Sequence, residues 1–516
     1  LREGINKIQR LLIANRGEIA VRIIRACKEL GITSVAVASE ADGAALHTRE
    51  ADEVVFIGPA LAQESYLAQE KILSAARERK CNAVHPGYGF LSQNPAFADA
   101  VTKAGMIWVG PPPSAMRLMG DKPAARSCME QAGVPVVPGF QGEGTESVDT
   151  LAQEAALIGF PLLVKAAAGG GGKGMRIVRN AESLGEAVEG ARHEARASFG
   201  DDRIFLERFV EHAHHIEVQV LADSQGQVVH LFERECSIQR RYQKIIEEAP
   251  SPIINEETRD KMTRTAVTAA KACGYVNAGT VEFLYNPSEN TYFFLEMNTR
   301  LQVEHPLTEW ITGIDLVKAQ LHIAEGNGLP WKQDEIKRHG HAIECRIYAE
   351  SPGENFAPST GVVLRALWPQ GPGIRVDQGV ESGDQVSVYY DPLLSKITAF
   401  DSTRESALSK MLAALTNTAV LGIDTNLRFL SRILSSETYR SGRAHTTFIE
   451  ENRALQLDIT EENLDLELIC AALLDARDMA SPRRGNGHTL NASENSSWSN
   501  ADGFRLGSKP EAGGER

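Results

Sequence analysis

Cysteine is scarce in this chain: seven in 516 residues, an odd number. They stand at Cys27, Cys81, Cys128, Cys236, Cys273, Cys345 and Cys470. No two form a Cys-x-x-Cys pair, which argues against a zinc ribbon or a thioredoxin-type motif. Scattered thiols fit a reducing compartment instead. A long apolar run is also missing, since none approaches the roughly 18 residues of a membrane span. No signal-peptide pattern precedes the first apolar strand. The expected location is therefore cytoplasmic, or the mitochondrial matrix if the source is eukaryotic, with no membrane partner. Basic charge is in deficit, 54 Lys and Arg against 68 Asp and Glu, for a net charge of −14. That argues against a general nucleic-acid binder and leaves room for a local basic pocket that holds an anionic ligand. There is no internal repeat. What remains is a 42% hydrophobic chain, long enough for roughly three domains.

The N-terminal segment alternates short apolar runs with helical periodicity. Leu11–Ala14 reads as a strand and Asn15–Glu18 as a break. Ile19, Ile23, Ala26, Cys27 and Leu30 recur at helical spacing, and Gly31 stands where a helix stops. Apolar runs at 34–38, 54–57 and 83–85, with a helix over 69–80, continue the rhythm of a parallel α/β sheet. From residue 120 the pattern changes to hairpins: 161–166 with 175–178, 217–222 with 228–233, and 280–285 with 291–298. A third region, 336–450, mixes strands at 341–349, 361–367 and 394–400 with a helix over 404–415. Residues 481–516 are rich in Ser, Asn, Gly, Arg and Glu and read as a linker or tail.

Two hairpins carry chemistry. Lys165 is followed by Ala166-Ala167-Ala168-Gly169-Gly170-Gly171-Gly172-Lys173-Gly174. Gly169, Gly171 and Gly174 match a dinucleotide fingerprint in spacing, but that fingerprint opens a helix, and Met175–Val178 is an alternating strand. A P-loop would need Ser or Thr after Lys173. A glycine loop between two strands, flanked by two lysines, suits a cover for phosphates, because bare backbone N–H groups can approach the oxygens. In the second hairpin, a turn centred between Ser288 and Glu289 sets residue 282 opposite about 295. Glu282 and Glu296 then lie at one end with Asn298 nearby, a hard-oxygen set suited to Mg²⁺. Thr299-Arg300-Leu301-Gln302-Val303-Glu304-His305-Pro306 follows. Arg300 suits bidentate capture of a small planar oxyanion, and Glu304 could act as a general base.

Lys122, Lys165, the glycine-rich hairpin, Glu207, Lys244, Glu282 and Glu296-Met297-Asn298-Thr299-Arg300 together resemble an ATP-grasp enzyme. Ile13–Ile19 (IANRGEI), His85–Ser92 (HPGYGFLS), Glu296–Pro306 (EMNTRLQVEHP) and Gly340–Arg346 (GHAIECR) resemble biotin carboxylase more narrowly. The resemblance runs from about Lys7 to Ile449. It implies an α/β protein: a Rossmann-like pre-ATP-grasp domain (1–119), an ATP-grasp domain (120–335) with a mobile glycine-rich lid over about 138–205, and a C-terminal α+β biotin carboxylase domain (336–450). A helical extension and flexible tail would follow (451–516). It also implies roles. Lys122 and Lys165 would hold ATP phosphates, and Gly171 and Gly172 would close over them. Glu207, Arg208, Phe209 and Val210 would line the adenine pocket, with His215 near the nucleotide. Glu282, Glu296 and Asn298 would bind Mg²⁺ or Mn²⁺. Lys244, Arg300, Gln302 and Val303 would form the bicarbonate site. Glu304 would be the general base, and Arg346 would steady the biotin ureido oxygen.

The implied reaction is the first half of an acyl-CoA carboxylase cycle, of acetyl-CoA or propionyl-CoA type, as in fatty acid biosynthesis. Bicarbonate attacks the γ-phosphate of ATP to give carboxyphosphate and ADP, and carboxyphosphate collapses to CO₂ and phosphate. Phosphate takes the biotin N1 proton, and biotin attacks CO₂. The implied partners are a biotin carboxyl carrier protein or domain, a carboxyltransferase subunit and a second copy of the chain. Alternatives are a pyruvate- or urea-type carboxylase, another ATP-grasp ligase, or an inactive scaffold.

The sequence also departs from the family pattern. Tyr242 stands near the ribose where some members carry His, and Gln93 stands where Glu is more usual. His85 reads as a turn residue and His305 as a positioning group. Arg240-Arg241 reads as a solvated face or a dimer contact. Met-Lys-Met, the usual biotin acceptor turn, is missing: Asp260 precedes Lys261-Met262, and Ser409 precedes Lys410-Met411. The biotin is expected on another chain or segment. Trp498–Leu506 resembles the stretch after the biotin carboxylase part of biotin-carrying α subunits.

Overall fold

The computed structural model describes residues 7–141, 146–166, 175–199, 202–241, 243–456 and 473. Gly171, Gly172 and Tyr242 lie outside the described residues, as do 481–516. Five short strands open the chain: β1 (Arg10–Ile13), β2 (Thr33–Ser39), β3 (Glu53–Gly58), β4 (Ala83–His85) and β5 (Ile107–Trp108). They form a parallel sheet in the order β3-β2-β1-β4-β5. The inner strands are apolar along their length because both faces are covered; Leu11, Leu12 and Ile13 are fully buried. The helix Gly17–Leu30 buries Ile19, Ile23, Ala26 and Cys27 and ends at Gly31 in a left-handed conformation (φ 68°). Glycine takes that conformation without a Cβ clash.

A small antiparallel sheet follows, β6 (Gly139–Gln141), β7 (Leu162–Ala166), β8 (Met175–Val178) and β9 (Ile204–Arg208), in the order β6-β9-β7-β8. Leu151 and Ala155 from the helix Val148–Ile158, and Leu184 and Val188 from the helix Leu184–Phe199, pack with Leu162, Val164 and Leu206. The β7–β8 hairpin pairs as expected, with Lys165 opposite Met175.

The largest element is an eight-stranded sheet. Its strands are β10 (His214–Ala222), β11 (Val228–Arg240), β12 (Gln243–Ala249), β13 (Asn277–Asn286), β14 (Thr291–Asn298) and β15 (His341–Tyr348), then Leu393–Asp401 and Ile374–Gln378. The order is β14-β13-β10-β11-β12-β15, then Leu393–Asp401 and Ile374–Gln378. The β12–β15 ladder, with Glu247 opposite Glu344, carries this sheet across residue 336 without a break. Two expectations need correction. The strand over 361–367 is two short pieces, because the chain changes partner: Gly361–Val362 pairs with Gln385–Val386, and Arg365–Leu367 pairs with Ala419–Leu421. Arg240 is not a solvated residue: it bonds Glu350 at 2.6 Å and stacks on Phe356, while its neighbour Arg241 is exposed.

Candidate functional site

Strand β10 is buried along its whole length, yet it carries Glu217 and Gln219. Buried polar groups need partners, and Arg234 of β11 supplies them. Its guanidinium, itself fully buried, donates to Glu217 Oε1 (2.5 Å), Gln219 Oε1 (2.9 Å), Thr308 Oγ1 (2.8 Å) and Thr280 Oγ1 (3.2 Å). This fixes Glu217 so that its other oxygen faces Lys244.

Lys244, near the start of β12, is the hub. Its ammonium donates to Glu217 Oε2 (2.6 Å), Glu282 Oε1 (2.8 Å) and Glu304 Oε1 (2.9 Å). Burial alone would lower its pKa, but the three carboxylates hold it well above the ordinary lysine value. Glu304, fully buried at the head of the helix His305–Thr312, gives its second oxygen to Arg346 of β15 at 3.0 Å. Burial would push its carboxyl up; Lys244, Arg346 and Arg234 overcome that and hold it well below the usual carboxylate range. Arg346 also lies 2.6 Å from Glu247. Burial and the nearby Glu304 and Glu344 charges push the Glu247 carboxyl up to about 8, against the opposing pull of Arg346.

The carboxylate hairpin forms with one change of register. Phe283 faces Phe294, as the turn dictates, but a bulge at Leu295 sets Glu282 directly opposite Glu296 rather than residue 295. Directly opposed residues share a face, so the bulge brings the two carboxylates together. Asn298 Nδ2 bridges them, at 2.9 Å from Glu282 and 3.3 Å from Glu296. His215 Nε2 lies 3.0 Å from the remaining Glu282 oxygen, and its Nδ1 meets Gln239 at 2.8 Å. Two carboxylates and an amide form a hard-oxygen donor set that fits Mg²⁺ or Mn²⁺.

The residues after this hairpin connect to it. Gln302 donates to Glu282 (3.0 Å) and accepts from Arg300 (2.6 Å). Arg300 Nε donates to Gln93 Oε1 at 3.1 Å, so the departure at 93 sits against the expected anion-binding arginine. The Val303 carbonyl accepts from buried Lys396. His305 is buried and held through Nδ1 by the Gln302 carbonyl, and burial keeps it neutral. His85 Nδ1 accepts from the Gly87 N–H, a turn contact.

A second group lies on the small sheet. Lys165 of β7 pairs with Glu207 of β9. The Arg208 N–H bonds the Pro138 carbonyl and the Phe209 N–H bonds the Pro161 carbonyl, while half-buried Val210 enters the link to β10. No hydrogen bond or ion pair among the described residues joins Lys165 or Glu207 to the Lys244 cluster. Lys122 begins the helix Lys122–Gln131, capped by Asp121, and its charge acts on Glu296. Sequence reasoning missed Glu217, Arg234, Gln239 and Lys396. The signal was available for Glu217 alone: a glutamate in the apolar alternation of His214–Ala222.

Comparison with known proteins agrees with this geometry. Residues 7–116 match the biotin carboxylase N-terminal domain, 121–332 the ATP-binding domain of the carbamoyl-phosphate synthase L chain, and 344–451 the biotin carboxylase C-terminal domain. Biotin carboxylase 1 of Bacillus subtilis (strain 168) is 48% identical over 445 residues, 86% of this chain and 98% of that protein. This chain belongs to the biotin carboxylase family. The mitochondrial methylcrotonoyl-CoA carboxylase subunit alpha of Dictyostelium discoideum is 48% identical over 507 residues, 97% of this chain and 71% of that protein. The chain spans about two thirds of the length of the curated α subunits it matches. Among solved structures, the biotin carboxylase domain dimer of Hydrogenobacter thermophilus 2-oxoglutarate carboxylase, in complex with MgADP, ADP and bicarbonate, is 43% identical with a TM-score of 0.82. That match covers 88% of this chain and 100% of that one. Among the described residues, no helix is long and apolar enough to cross a membrane.

Proposed function

We propose that this chain uses ATP and bicarbonate to carboxylate biotin held on a carrier protein or domain. The observation that carries the reading is Glu304, gripped by Lys244 on one oxygen and Arg346 on the other. Those two cations offer sites for the anions of the reaction, and between them stands a carboxylate able to take a proton. Arg300, poised by Gln302 and Gln93, orients bicarbonate. Lys122 and Lys165 meet phosphate charge, Lys244 adds its charge at the bicarbonate site, and Glu207 to Val210 accept the adenine. Glu282, Glu296 and Asn298 would hold a divalent ion that offsets charge on the ATP phosphates. Arg346 opposes the negative charge that grows on the biotin ureido oxygen.

The test is ADP release from Mg-ATP and bicarbonate with and without free biotin. Biotin stimulates release in the wild type. Arg346→Ala removes the stimulation, with a fall of about 10²–10³-fold in the biotin-dependent rate. Release that ignores biotin in the wild type would point to another ATP-grasp substrate.

The final acceptor we propose is an acyl-CoA, in an α subunit that works with a carrier domain, a carboxyltransferase and a second copy of this chain. Support comes from the 507-residue match to the D. discoideum subunit, longer than the 445-residue match to the B. subtilis biotin carboxylase. In the intact complex, labelled bicarbonate is expected to reach 3-methylcrotonyl-, propionyl- or acetyl-CoA. Transfer to pyruvate alone would overturn this assignment and leave biotin carboxylation standing.

A further inference from the structure

Away from the site just described, His212, His445 and Glu451 converge, and each brings one ligand atom to within 4.8 Å of the others. His212 lies in the link between β9 and β10, two residues past Val210, with a left-handed backbone (φ 48°) that is uncommon outside glycine. His445 and Glu451 belong to the C-terminal segment, Glu451 closing the helix Phe448–Glu451. The Thr446 N–H bonds the Ala213 carbonyl at 3.0 Å, so the backbone ties the two segments side by side.

The proton arrangement frees a nitrogen. Thr447 Oγ1 lies 2.5 Å from Glu451 Oε1 and 3.0 Å from His445 Nδ1. The carboxylate can only accept, so the single hydroxyl proton goes to it. His445 Nδ1 must then donate to Thr447, which leaves Nε2 with its lone pair. That Nε2 stands 3.3 Å from His212 Nδ1 and 3.6 Å from Glu451 Oε2, and His212 Nδ1 stands 3.9 Å from Glu451 Oε1. Zinc bonds histidine nitrogen at about 2.0–2.1 Å, so two nitrogens on a tetrahedral ion lie roughly 3.3 Å apart. The histidine pair already has that separation, and the rings cross at 80°. Thr447 supplies the outer hydrogen bond that fixes a ligating imidazole.

We propose that His212, His445 and Glu451 form a three-ligand site for a borderline divalent transition-metal ion, Zn²⁺ in the first instance, with water in the open position. Two nitrogens and one carboxylate favour such an ion over Mg²⁺, which requires oxygen donors. The bound ion clamps the link that follows Glu207–Val210 to the C-terminal segment, separately from the carboxylation chemistry.

The test uses the full untagged chain, stripped with chelator and titrated with Co²⁺ as a visible probe for Zn²⁺ in a large excess of Mg²⁺. The wild type is expected to bind one Co²⁺ with a tetrahedral absorption spectrum and to exchange it for Zn²⁺. His212→Asn and His445→Ala each weaken binding at least tenfold, and Thr447→Val weakens it about tenfold. His212 is two-thirds exposed, so His212→Asn keeps the test sound if His445→Ala fails to fold. The proposal is overturned if Mg²⁺ prevents Co²⁺ binding, or if His212→Asn binds Co²⁺ as tightly as the wild type with the same spectrum.

Discussion

Glu304→Gln is expected to lower biotin-stimulated ADP release by about 10²–10⁴-fold, the range for losing a positioned acid or base. Glutamine keeps the shape and one acceptor oxygen, so one of the two cation contacts survives; its amide nitrogen cannot accept from the other cation, Lys244 or Arg346. What is lost is the charge and the ability to take a proton. In the protein as it stands, Lys244 and Arg346 hold that carboxyl well below its ordinary range, which makes it a weak base. Anions arriving at these cations change the balance, because negative charge beside Glu304 raises its pKa. On the proposed reading, bicarbonate and phosphate bound at these cations would make the residue more basic than it is in their absence. Binding of Mg-ATP, measured without bicarbonate, should change by less than about threefold, since Lys244 keeps Glu217 and Glu282 as partners. A variant that retains more than a tenth of the biotin-stimulated rate would mean that another group takes the proton.

Local pattern made much of this legible. Apolar runs marked β1 to β4, Gly31 marked the end of the first helix, and the turn at 286–290 fixed the register of Phe283 against Phe294. The same turn could not announce the bulge at Leu295, because a bulge depends on how the next strand packs. The missing step was the one that sets Glu282 opposite Glu296. Contacts far apart in sequence were less accessible still. Lys244 meets Glu304 because β12 lies between β11 and β15 in one sheet, and Arg346 reaches the same carboxylate from 42 residues away. Gln93 meets Arg300 across 207 residues. At those separations no periodicity links the partners; topology alone does. Arg234 shows the converse: a charged residue in a strand reads as solvated until its four partners are seen.

Glu248→Gln is expected to destabilise the chain by about 3 kcal/mol near neutral pH, the low end of the cost of breaking a buried pair, because Arg404 keeps partial contact with solvent. Glu248 is 3% exposed. Its carboxylate takes both Arg404 contacts, 2.6 Å from Nε and 2.9 Å from Nη2, and lies 2.7 Å from His341 Nε2. Arg404 also donates to the Tyr439 and Arg440 carbonyls, so one carboxylate joins β12, β15, the helix Arg404–Thr416 and the segment at 439–440. Burial would raise the carboxyl; hydrogen bonds from His341 and Arg404 lower it to about 2. In the unfolded chain the same group titrates near 4.3. A depressed folded value stabilises fully above the unfolded value and is lost as pH falls toward the folded one. The gap between wild type and variant should therefore stay constant from pH 7 to about 5, then narrow between about 4.5 and 2. Denaturant midpoints at pH 7, 4 and 3 measure it. A gap that does not change with pH would assign the loss to packing rather than charge. Glu248 neighbours Glu247, the partner of Arg346, but its own bonds run toward Arg404 and His341. The folded variant should therefore keep its biotin-stimulated ADP release at pH 7, so that stability falls while the carboxylation chemistry remains.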